Sequence, residues 1–399
     1  MMECMNMKIK INENYKSLKE SYLFSEIAKR VNAYVKENPD KKVIRLGIGD
    51  VTLPLPKTAT DAMQKAVQEM TEKATFRGYA PEYGYDFIRE AISKRYKKFN
   101  VEIESQEVFV SDGAKSDVGN IVDILGDNKI LIPNPVYPVY LDSNIMSGRK
   151  VEFLEANIDN QFLPMPPKTR EEGLIIYLCS PNNPTGAVYN FEQLKKWVQF
   201  ARQTGSLIIF DAAYESFIVG EYPHSIYEID GAKECAIEVC SFSKMAGFTG
   251  TRCAWMVVPK ALESSGTSLN KLWARRQATK FNGVPYMVQR GAEAVLTEQG
   301  EKECNKLIAY YMQNAKVLAD LFTKKGIYFT GGISSPYIWL KCPKGMSSWE
   351  FFDYLLQNAQ IVGTPGAGFG SAGESYFRLS SFGDKDLTVE AAARLDNLL

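Results

Sequence analysis

The 399-residue sequence contains a single histidine, His224. A serine–histidine–carboxylate triad, or a zinc site built on imidazoles, would have to depend on that one side chain. His224 lies in the stretch GEYPHSIYE, which predicts a surface turn. Triad hydrolysis and histidine–zinc chemistry are therefore disfavoured, and we expect no metal ion.

The sequence also lacks an excess of charge of either sign and lacks long apolar runs. Lys and Arg together number 47, as do Asp and Glu, so a broad electrostatic surface for nucleic acid is not expected. No apolar stretch approaches the length needed to cross a bilayer. The first residues, MMECMNMKIKINENYKSLKE, have charges throughout and no apolar centre, unlike a signal peptide. We expect a cytoplasmic protein without nucleic-acid or membrane partners.

Paired cysteine motifs are absent as well. The number of cysteines is odd, at seven, and none forms a Cys-x-x-Cys pair. Without a secretory signal, this pattern predicts reduced and mostly buried thiols. The cysteines are Cys4, Cys179, Cys235, Cys240, Cys253, Cys304 and Cys342.

What the sequence does contain is an ordinary globular composition, with 45% apolar and 24% charged residues, in a chain too long for one small core. ATDAMQKAVQEM predicts a helix with Met63, Ala66 and Val67 on its buried face. The short runs EVFVS, KILIP, VEFLE, LIIYLC, SLIIFD and AIEVCSF are typical of strands buried on both faces of a mainly parallel sheet. Strands alternating with helical patterns predict an α/β doubly wound architecture.

The last hundred or so residues show a different pattern. NKLIAYYMQNAKVLADLFTKK predicts a long helix, SPYIWLKC a strand, SWEFFDYLLQNA a helix and SYFRLSSF a final strand. We interpret this region as a smaller α+β domain. The predicted division is an N-terminal arm with part of the small domain at 1–48, a large domain at 49–288 and a C-terminal small domain at 289–399.

Polar residues follow three of the apolar runs, at the strand ends where open α/β sheets bind ligands. After LIIYLC comes the rigid turn SPNNPTG, which contains Asn183, and after SLIIF come Asp211 and Tyr214. AIEVC is followed by SFSK, which ends in Lys244, and then by Arg252. Each feature alone also fits a tight connection, a helix cap or a surface lysine. A Walker loop is excluded, because a serine precedes Lys244 and the glycine spacing is wrong.

Taken together, the amide, the carboxylate and the lysine suit a ligand with a phenolic oxygen, a basic ring nitrogen and an aldehyde. Pyridoxal phosphate (PLP) is such a ligand. A lysine can form a Schiff base with its aldehyde, a carboxylate can keep its ring nitrogen protonated, and hydroxyls with an arginine can hold its phosphate. The sequence therefore predicts a PLP-dependent enzyme.

SPNNPTG, DAAY and SFSK followed by glycine and arginine resemble, in this order, the fold-type I (aspartate aminotransferase-like, class I/II) PLP-dependent aminotransferases. RLGIGD, GYAPEYGYDFIREAI, VSDGAK and YFRLSSF extend the resemblance over nearly the whole chain. The resemblance implies a large PLP-binding domain with a mainly parallel seven-stranded sheet, a smaller α+β domain and a homodimer with shared active sites.

Within that family, further stretches are similar to the LL-diaminopimelate aminotransferases. These stretches are INENYKSLKESYLFSEI, GIGDVTLPLP, DGAKSD, SFSKMAGFTGTRCAW and FNGVPY. The similarity implies amino-group transfer from LL-2,6-diaminopimelate to 2-oxoglutarate, or in reverse the formation of diaminopimelate from tetrahydrodipicolinate and glutamate, for lysine and cell-wall synthesis.

The resemblance also implies roles for single residues. Lys244 would form the Schiff base and move a proton, Asp211 would pair with the ring nitrogen, and Tyr214 would bind the phenolic oxygen. These three residues are the implied catalytic set, and Asn183 would bind the phenolic oxygen together with Tyr214. The implied cofactor-binding residues are Tyr79 (from the other subunit), Ala114, Lys115, Tyr137, Asn183, Asp211, Tyr214, Ser241, Ser243, Lys244, Arg252 and Asn282.

For the substrate, the resemblance implies that Arg378 clamps the α-carboxylate. Dicarboxylate-specific relatives use an arginine in the region of Asn282, so an asparagine here disfavours a plain dicarboxylate substrate. Glu82 of the other subunit would bind the distal ammonium unless it is an ordinary turn glutamate. The segment around Tyr15 would close over the site as a lid. The implied substrate-binding residues are Tyr15, Gly49, Glu82, Lys115, Tyr137, Asn183, Asn282 and Arg378.

Other functions stay open at this point. The same fold supports aminotransferases for aspartate or aromatic amino acids, and non-transaminating PLP enzymes such as C–S lyases and cyclopropane-forming synthases. A PLP-binding regulator is disfavoured, because no basic helix-turn-helix segment is appended. A dehydrogenase is not supported, because no Gly-x-Gly-x-x-Gly follows an early strand.

Overall fold

A computed structural model describes residues 9–18, 23–47 and 49–399. The strands in this part of the chain are β1 (Ile44–Arg45), β2 (Val108–Ser111), β3 (Ile130–Asn134), β4 (Val151–Glu155), β5 (Ile175–Cys179), β6 (Leu207–Asp211), β7 (Ala236–Ser241), β8 (Ala254–Val257), β9 (Glu263–Ser264), β10 (Thr267–Ser268), β11 (Phe329–Gly331), β12 (Tyr337–Lys341), β13 (Ile361–Val362), β14 (Thr364–Pro365) and β15 (Tyr376–Ser380).

The same described ranges contain these α-helices: α1 (Leu23–Glu37), α2 (Lys57–Glu69), α3 (Asp86–Tyr96), α4 (Ala114–Asn120), α5 (Pro138–Met146), α6 (Phe191–Gln203), α7 (Phe242–Met245), α8 (Leu269–Lys280), α9 (Tyr286–Val295), α10 (Glu298–Lys324), α11 (Ser348–Ala359) and α12 (Lys385–Leu398). A 3-10 helix over Glu13–Ser17 lies in the N-terminal arm.

Seven strands form the central sheet, in the order β2–β8–β7–β6–β5–β3–β4. The neighbouring pairs are parallel except those of β8, which runs antiparallel to both β2 and β7. The inner strands β5, β6 and β7 are buried at every position, as expected for strands covered on both faces. The predicted α/β fold with a mainly parallel seven-stranded sheet is confirmed.

Helix α6 shows how local sequence builds the layer over this sheet. Asn190 accepts a hydrogen bond from the N–H of Gln193 at 2.9 Å, and the Gln193 side chain accepts one from the N–H of Asn190 at 2.9 Å. This reciprocal cap satisfies two donors that the helix itself leaves unpaired. The buried residues of α6 have helical spacing and share an apolar core with the strands; they are Leu194, Trp197, Val198 and Ala201.

A second, smaller core joins the two ends of the chain. Its antiparallel sheet has the order β11–β12–β15–β14, and β1 pairs in parallel with β13. Val31 of α1 and Leu395 of α12 pack in the same cluster as Trp339 and Phe377 of this sheet. The division at 1–48, 49–288 and 289–399 stays a prediction; its second boundary falls within α9, which packs on α2.

Three local predictions were wrong. Strand β4 is an edge strand with Phe153 exposed, so it is not buried on both faces. Val67 is 51% exposed, because α2 is buried through Ala59 and Ala66 instead. His224 is half-buried rather than on a surface turn: its ring stacks on Phe99 with centroids 4.9 Å apart.

The buried thiols were predicted correctly for the part of the chain that the structure covers. Cys179, Cys235, Cys240, Cys253, Cys304 and Cys342 are free and buried, whereas Cys4 lies outside the described residues. None of the described helices combines the length and the apolar composition that crossing a membrane requires.

Candidate active site

The carboxyl ends of the central strands surround a cavity of about 460 Å³. Asp211 ends β6 and Ser241 ends β7, while Asn183 and Lys244 follow β5 and β7 within a few residues. Arg378 of β15 reaches the same cavity from the smaller sheet. Side chains that are far apart in sequence therefore meet at the edge where open α/β sheets bind ligands.

A larger cavity, of about 840 Å³, lies at the opposite ends of the strands, near Leu174 and Leu207 at the starts of β5 and β6. We assign the site to the smaller cavity because of its chemistry. It contains a half-buried amine, a buried carboxylate and a buried guanidinium, and such groups mark functional sites.

Lys244 is the amine of the site. It lies in α7, the short helix whose first turn is capped by Ser241, which accepts a hydrogen bond from the N–H of Ser243 at 3.0 Å. The Nζ of Lys244 donates to the carbonyl oxygen of Gly49 and lies 5.4 Å from the centre of the Phe382 ring. The lysine is thereby held inside the cavity rather than in solvent.

Burial lowers the pKa of Lys244 to about 8. The carboxylate of Asp50 opposes this shift, and the guanidinium groups of Arg378 and Arg252 add to it. Near neutral pH, Lys244 therefore exists partly as a free amine, the form that can attack a carbonyl carbon or accept a proton.

Asp211 is the carboxylate of the site and is buried. Its Oδ2 accepts a hydrogen bond from the hydroxyl of Tyr140 at 2.5 Å, and its Oδ1 accepts one from the N–H of Ala213 at 3.0 Å. Burial raises the pKa of Asp211, while these two hydrogen bonds oppose the rise. No cation forms an ion pair with Asp211 among the described residues, so the carboxylate fits a positively charged ligand atom.

Arg378 is the guanidinium of the site and is only 1% exposed. Its Nη1 donates to Oδ1 of Asn183 at 2.7 Å, its Nη2 donates to the carbonyl of Gly47 at 2.9 Å, and its Nε has no partner. Within the described ranges no carboxylate pairs with it. A buried guanidinium in this state fits an anionic ligand group such as a carboxylate.

A cup for a further anion lies beside Lys244. Gly113 has φ of 149°, and a Cβ at this position would lie 2.1 Å from Nη2 of Arg252. Only glycine therefore lets the turn before α4 approach this guanidinium. Ser241 and Ser243 line the same cavity as Arg252, so it offers hydroxyls and a cation that suit a phosphate.

The structure brings most of the predicted site residues together. The predicted residues that line the cavity are Gly49, Ala114, Lys115, Tyr137, Asn183, Asp211, Tyr214, Ser241, Ser243, Lys244, Arg252 and Arg378. Tyr214 and Asn183 were expected to bind one ligand oxygen. The hydroxyl of Tyr214 lies 2.7 Å from that of Tyr337, and the carbonyl of Asn183 is used by Arg378, so Asn183 can offer a ligand its amide N–H groups.

Four predicted residues do not line the cavity of the single chain. Tyr79 is 89% exposed, Asn282 is exposed and Glu82 is half-buried. Tyr15 is exposed in the arm, which is held on α5 through Asn12, whose Nδ2 donates to the carbonyl of Met146 at 2.9 Å. The loop with Tyr79 and Glu82 packs against the loop with Asn282. The approach is close at Gly283, where a Cβ would lie only 2.7 Å from the carbonyl oxygen of Pro81.

Sequence reasoning missed several residues of the cavity. Tyr140 follows Tyr137 by three positions in the first turn of α5, a spacing that does place two side chains on one helix face. Tyr337 offered no local signal, because strand pairing with β15 is what brings it to the site. The other missed residues are Asp50, Val118, Cys179, Ala213 and Thr249.

Comparison with known proteins agrees with this geometry. The family described as aminotransferase class I and II matches residues 41–395. The chain is 53% identical to the LL-diaminopimelate aminotransferase of Prochlorococcus marinus, over 98% of this chain and 100% of that protein. The chain belongs to the LL-diaminopimelate aminotransferase family. The Lachnospira eligens LL-diaminopimelate aminotransferase is 52% identical over the same shares of the two chains, 98% and 100%.

A solved structure of the same family has the same fold. The L,L-diaminopimelate aminotransferase of Chlamydomonas reinhardtii matches with a TM-score of 0.92 and 42% identity, over 98% of this chain and 99% of that chain. The predicted resemblance to the class I/II aminotransferases is thus confirmed, and so is the fold-type I architecture. The cavity at the carboxyl ends of the strands is the candidate active site of an aminotransferase.

Proposed function

We propose that this aminotransferase uses PLP to transfer an amino group from LL-diaminopimelate to 2-oxoglutarate, and in reverse from glutamate to tetrahydrodipicolinate. One observation carries the proposal: a desolvated lysine, a buried carboxylate and a buried guanidinium meet in one cavity. The substrate pair is supported by relatives of 52% and 53% identity that are named for it.

The chemistry of the cavity fits PLP group by group. Asp211 would hold the protonated ring nitrogen, Tyr214 and the amide N–H of Asn183 the phenolic oxygen, and Tyr137 the ring face. The serines and the arginine of the cup beside Gly113, together with the backbone at Ala114, would hold the phosphate. When bound, the cofactor supplies an aldehyde for the lysine and a ring that withdraws electrons from the substrate Cα.

Each side chain then has a defined task. Lys244 would accept the proton from the substrate Cα at Nζ and deliver it to the aldehyde carbon of the bound cofactor. The lowered pKa of Lys244 favours the free amine that this uptake requires near neutral pH. Arg378 fixes the substrate α-carboxylate and so orients the Cα–H bond toward Lys244. Arg378 is buried and Lys244 is half-buried in this cavity, which limits the access of water to both groups.

The cofactor is tested by colour and by chemical trapping. Purified protein should be yellow, and borohydride reduction should attach the cofactor to the peptide that contains Lys244. Lys244→Ala should lose the trapped product. Lys302→Ala, on the exposed face of α10, should keep it. A colourless wild type that gains no colour with added PLP would overturn the proposal.

The substrate is tested by comparing amino donors. Glutamate formation from 2-oxoglutarate should be fastest with LL-diaminopimelate and slow with aspartate or phenylalanine. A preference for aspartate or phenylalanine would reject the substrate while leaving the aminotransferase chemistry intact. Elimination products without glutamate would indicate a lyase instead.

A homodimer with shared sites is part of the proposal. Tyr79, Glu82 and Asn282 lie outside their own cavity on two loops in contact, as residues that serve a partner's site would. Mixing Lys244→Ala chains with Tyr79→Ala chains should restore activity, because each mixed dimer regains one complete site. Activity that stays at the level of the unmixed variants would contradict shared active sites.

Closure of the Tyr15 segment and the cytoplasmic location stay predictions.

A further inference from the structure

Tyr337 touches two parts of the active site at once. It is fully buried in β12. Its hydroxyl oxygen lies 2.7 Å from the hydroxyl oxygen of Tyr214. Its ring lies 4.4 Å from the guanidinium carbon of Arg378. The hydroxyl thus contacts the cofactor side of the cavity, and the ring contacts the side that would bind the substrate carboxylate.

Strand pairing explains why these groups meet. Tyr337 lies opposite Ser380 in the β12–β15 register, and Arg378 is two residues from Ser380. Diagonal neighbours of this kind project from the same face of a sheet and are within reach of long side chains. The guanidinium of Arg378 therefore packs on the face of the Tyr337 ring, and this cation–π contact is favourable for a desolvated cation.

The loop at Gly49 is also shaped around Tyr337. A Cβ at Gly49 would lie 2.6 Å from the Tyr337 hydroxyl oxygen, so this loop passes close only because residue 49 is glycine. The carbonyl of Gly49 in turn accepts the hydrogen bond from Nζ of Lys244. Tyr337 consequently contacts Tyr214 and Arg378 directly, and it packs against Gly49, the residue whose carbonyl binds Lys244.

We propose that Tyr337 is a positioning residue that aligns the Tyr214 hydroxyl through its own hydroxyl and holds Arg378 through its ring. The inference rests on the proposed PLP function. If Tyr337 donates to Tyr214, the O–H of Tyr214 is left to point into the cavity, and it becomes a stronger donor because linked hydrogen bonds polarise one another. Burial raises the pKa of both hydroxyls, so both stay protonated in the working range of pH.

Two substitutions separate the two roles. Tyr337→Phe removes the hydroxyl and keeps the ring, whereas Tyr337→Leu removes both. With PLP bound, the pH midpoint of the visible absorbance should move upward in Tyr337→Phe, because the ionised phenolic oxygen loses part of its hydrogen bond. The shift should be smaller than that of Tyr214→Phe. Tyr189→Phe is the matched control, since its buried hydroxyl binds the carbonyl of Pro164 at 2.8 Å outside the cavity.

Steady-state kinetics test the ring. Tyr337→Phe should leave KM for LL-diaminopimelate within about twofold, and Tyr337→Leu should raise it about tenfold as the cation–π contact is lost. If Tyr337→Phe titrates like the wild type and the Tyr189 control, the hydroxyl does not align Tyr214. Equal KM values in the Tyr337→Phe and Tyr337→Leu variants would exclude the role of the ring. If Tyr337→Leu does not fold, the test rests on Tyr337→Phe, which keeps the ring. A raised KM in that variant would show that the ring does not by itself hold Arg378. A wild type that does not bind PLP would contradict the proposed function itself. A wild type that binds PLP while the Tyr337 variants behave like it would contradict only the role of Tyr337.

Discussion

The hydroxyl of Tyr140 donates to Oδ2 of Asp211 at 2.5 Å in a buried environment. This contact matters because burial alone would push Asp211 toward its neutral form, which could not pair with a ring cation. The Tyr140 hydroxyl and the N–H of Ala213 both lower the pKa of Asp211 and so favour the charged form. Tyr140 therefore supports the carboxylate without having to touch the substrate.

Tyr140→Phe should weaken cofactor binding about tenfold, because a hydrogen bond to a charged group contributes about 1.5–3 kcal/mol. The measurement is titration of cofactor-free protein with PLP at constant pH. Asp211→Asn should lose more affinity, and Tyr189→Phe should lose none. Equal affinity in Tyr140→Phe and the wild type would show that the Ala213 N–H alone keeps Asp211 charged.

Gly113→Ala should impair the phosphate cup, because the new Cβ would lie 2.1 Å from Nη2 of Arg252. The guanidinium would have to move, and we expect PLP affinity to fall at least about tenfold with the loss of a charge-assisted hydrogen bond. Gly119→Ala is the matched control, since a Cβ there meets nothing within 4 Å and alanine favours a helix. The same affinity in both variants would contradict the role assigned to Arg252.

The lowered pKa of Lys244 predicts a distinct reactivity in the cofactor-free protein. Below pH about 8 the protonated amine predominates, and above it the reactive free amine predominates. Reductive labelling by a small aldehyde, read peptide by peptide by mass spectrometry, should rise at Lys244 with a midpoint near pH 8. Labelling of a free lysine derivative in the same reaction should rise later, toward the ordinary lysine pKa of about 10.4. A rise at Lys244 that parallels that of the free lysine derivative would mean that burial does not lower the pKa of Lys244.

Much of the fold and the site could be predicted from local sequence. Strands buried on both faces leave continuous apolar runs, and the first polar residues after those runs mark the ligand edge of the sheet. Asp211 and Lys244 were found in this way. The same reasoning assumed that every apolar run is an inner strand, and this assumption was wrong for β4, which ends the sheet.

The rest depends on long-range pairing that local patterns do not encode. Strand β8 was not predicted: it has four residues, and its place between β2 and β7 comes from antiparallel pairing with both. Tyr337 reaches Tyr214 across 123 positions of sequence. Tyr79 is exposed in the single chain, and only the family resemblance, not the local sequence pattern, implies that it contributes to a partner's site.

The last prediction concerns stability and a buried acid away from the cavity. Glu238 lies in the middle of β7, where its carboxylate accepts hydrogen bonds from Tyr96 at 2.6 Å, and from the hydroxyl of Ser225 and the N–H of Ile226 at 2.8 Å each. Burial outweighs these three donors and raises the pKa of Glu238 to about 7. The folded state therefore binds a proton more tightly than the unfolded state does.

A raised folded-state pKa contributes stability that is complete below the unfolded pKa, near 4.5, and that is lost as pH rises through about 7. Glu238→Gln cannot titrate, so the difference in stability between wild type and variant should change over this window by up to about 3 kcal/mol. Thermal unfolding of both proteins from pH 5 to pH 8.5 measures this difference in stability. The other titrating groups are common to the two proteins, so their contributions cancel in the difference. The midpoint of the wild type should fall relative to that of Glu238→Gln as pH rises. A constant difference would show that Glu238 keeps one charge state throughout, and a difference of opposite sign would show that the three donors, rather than burial, set its pKa.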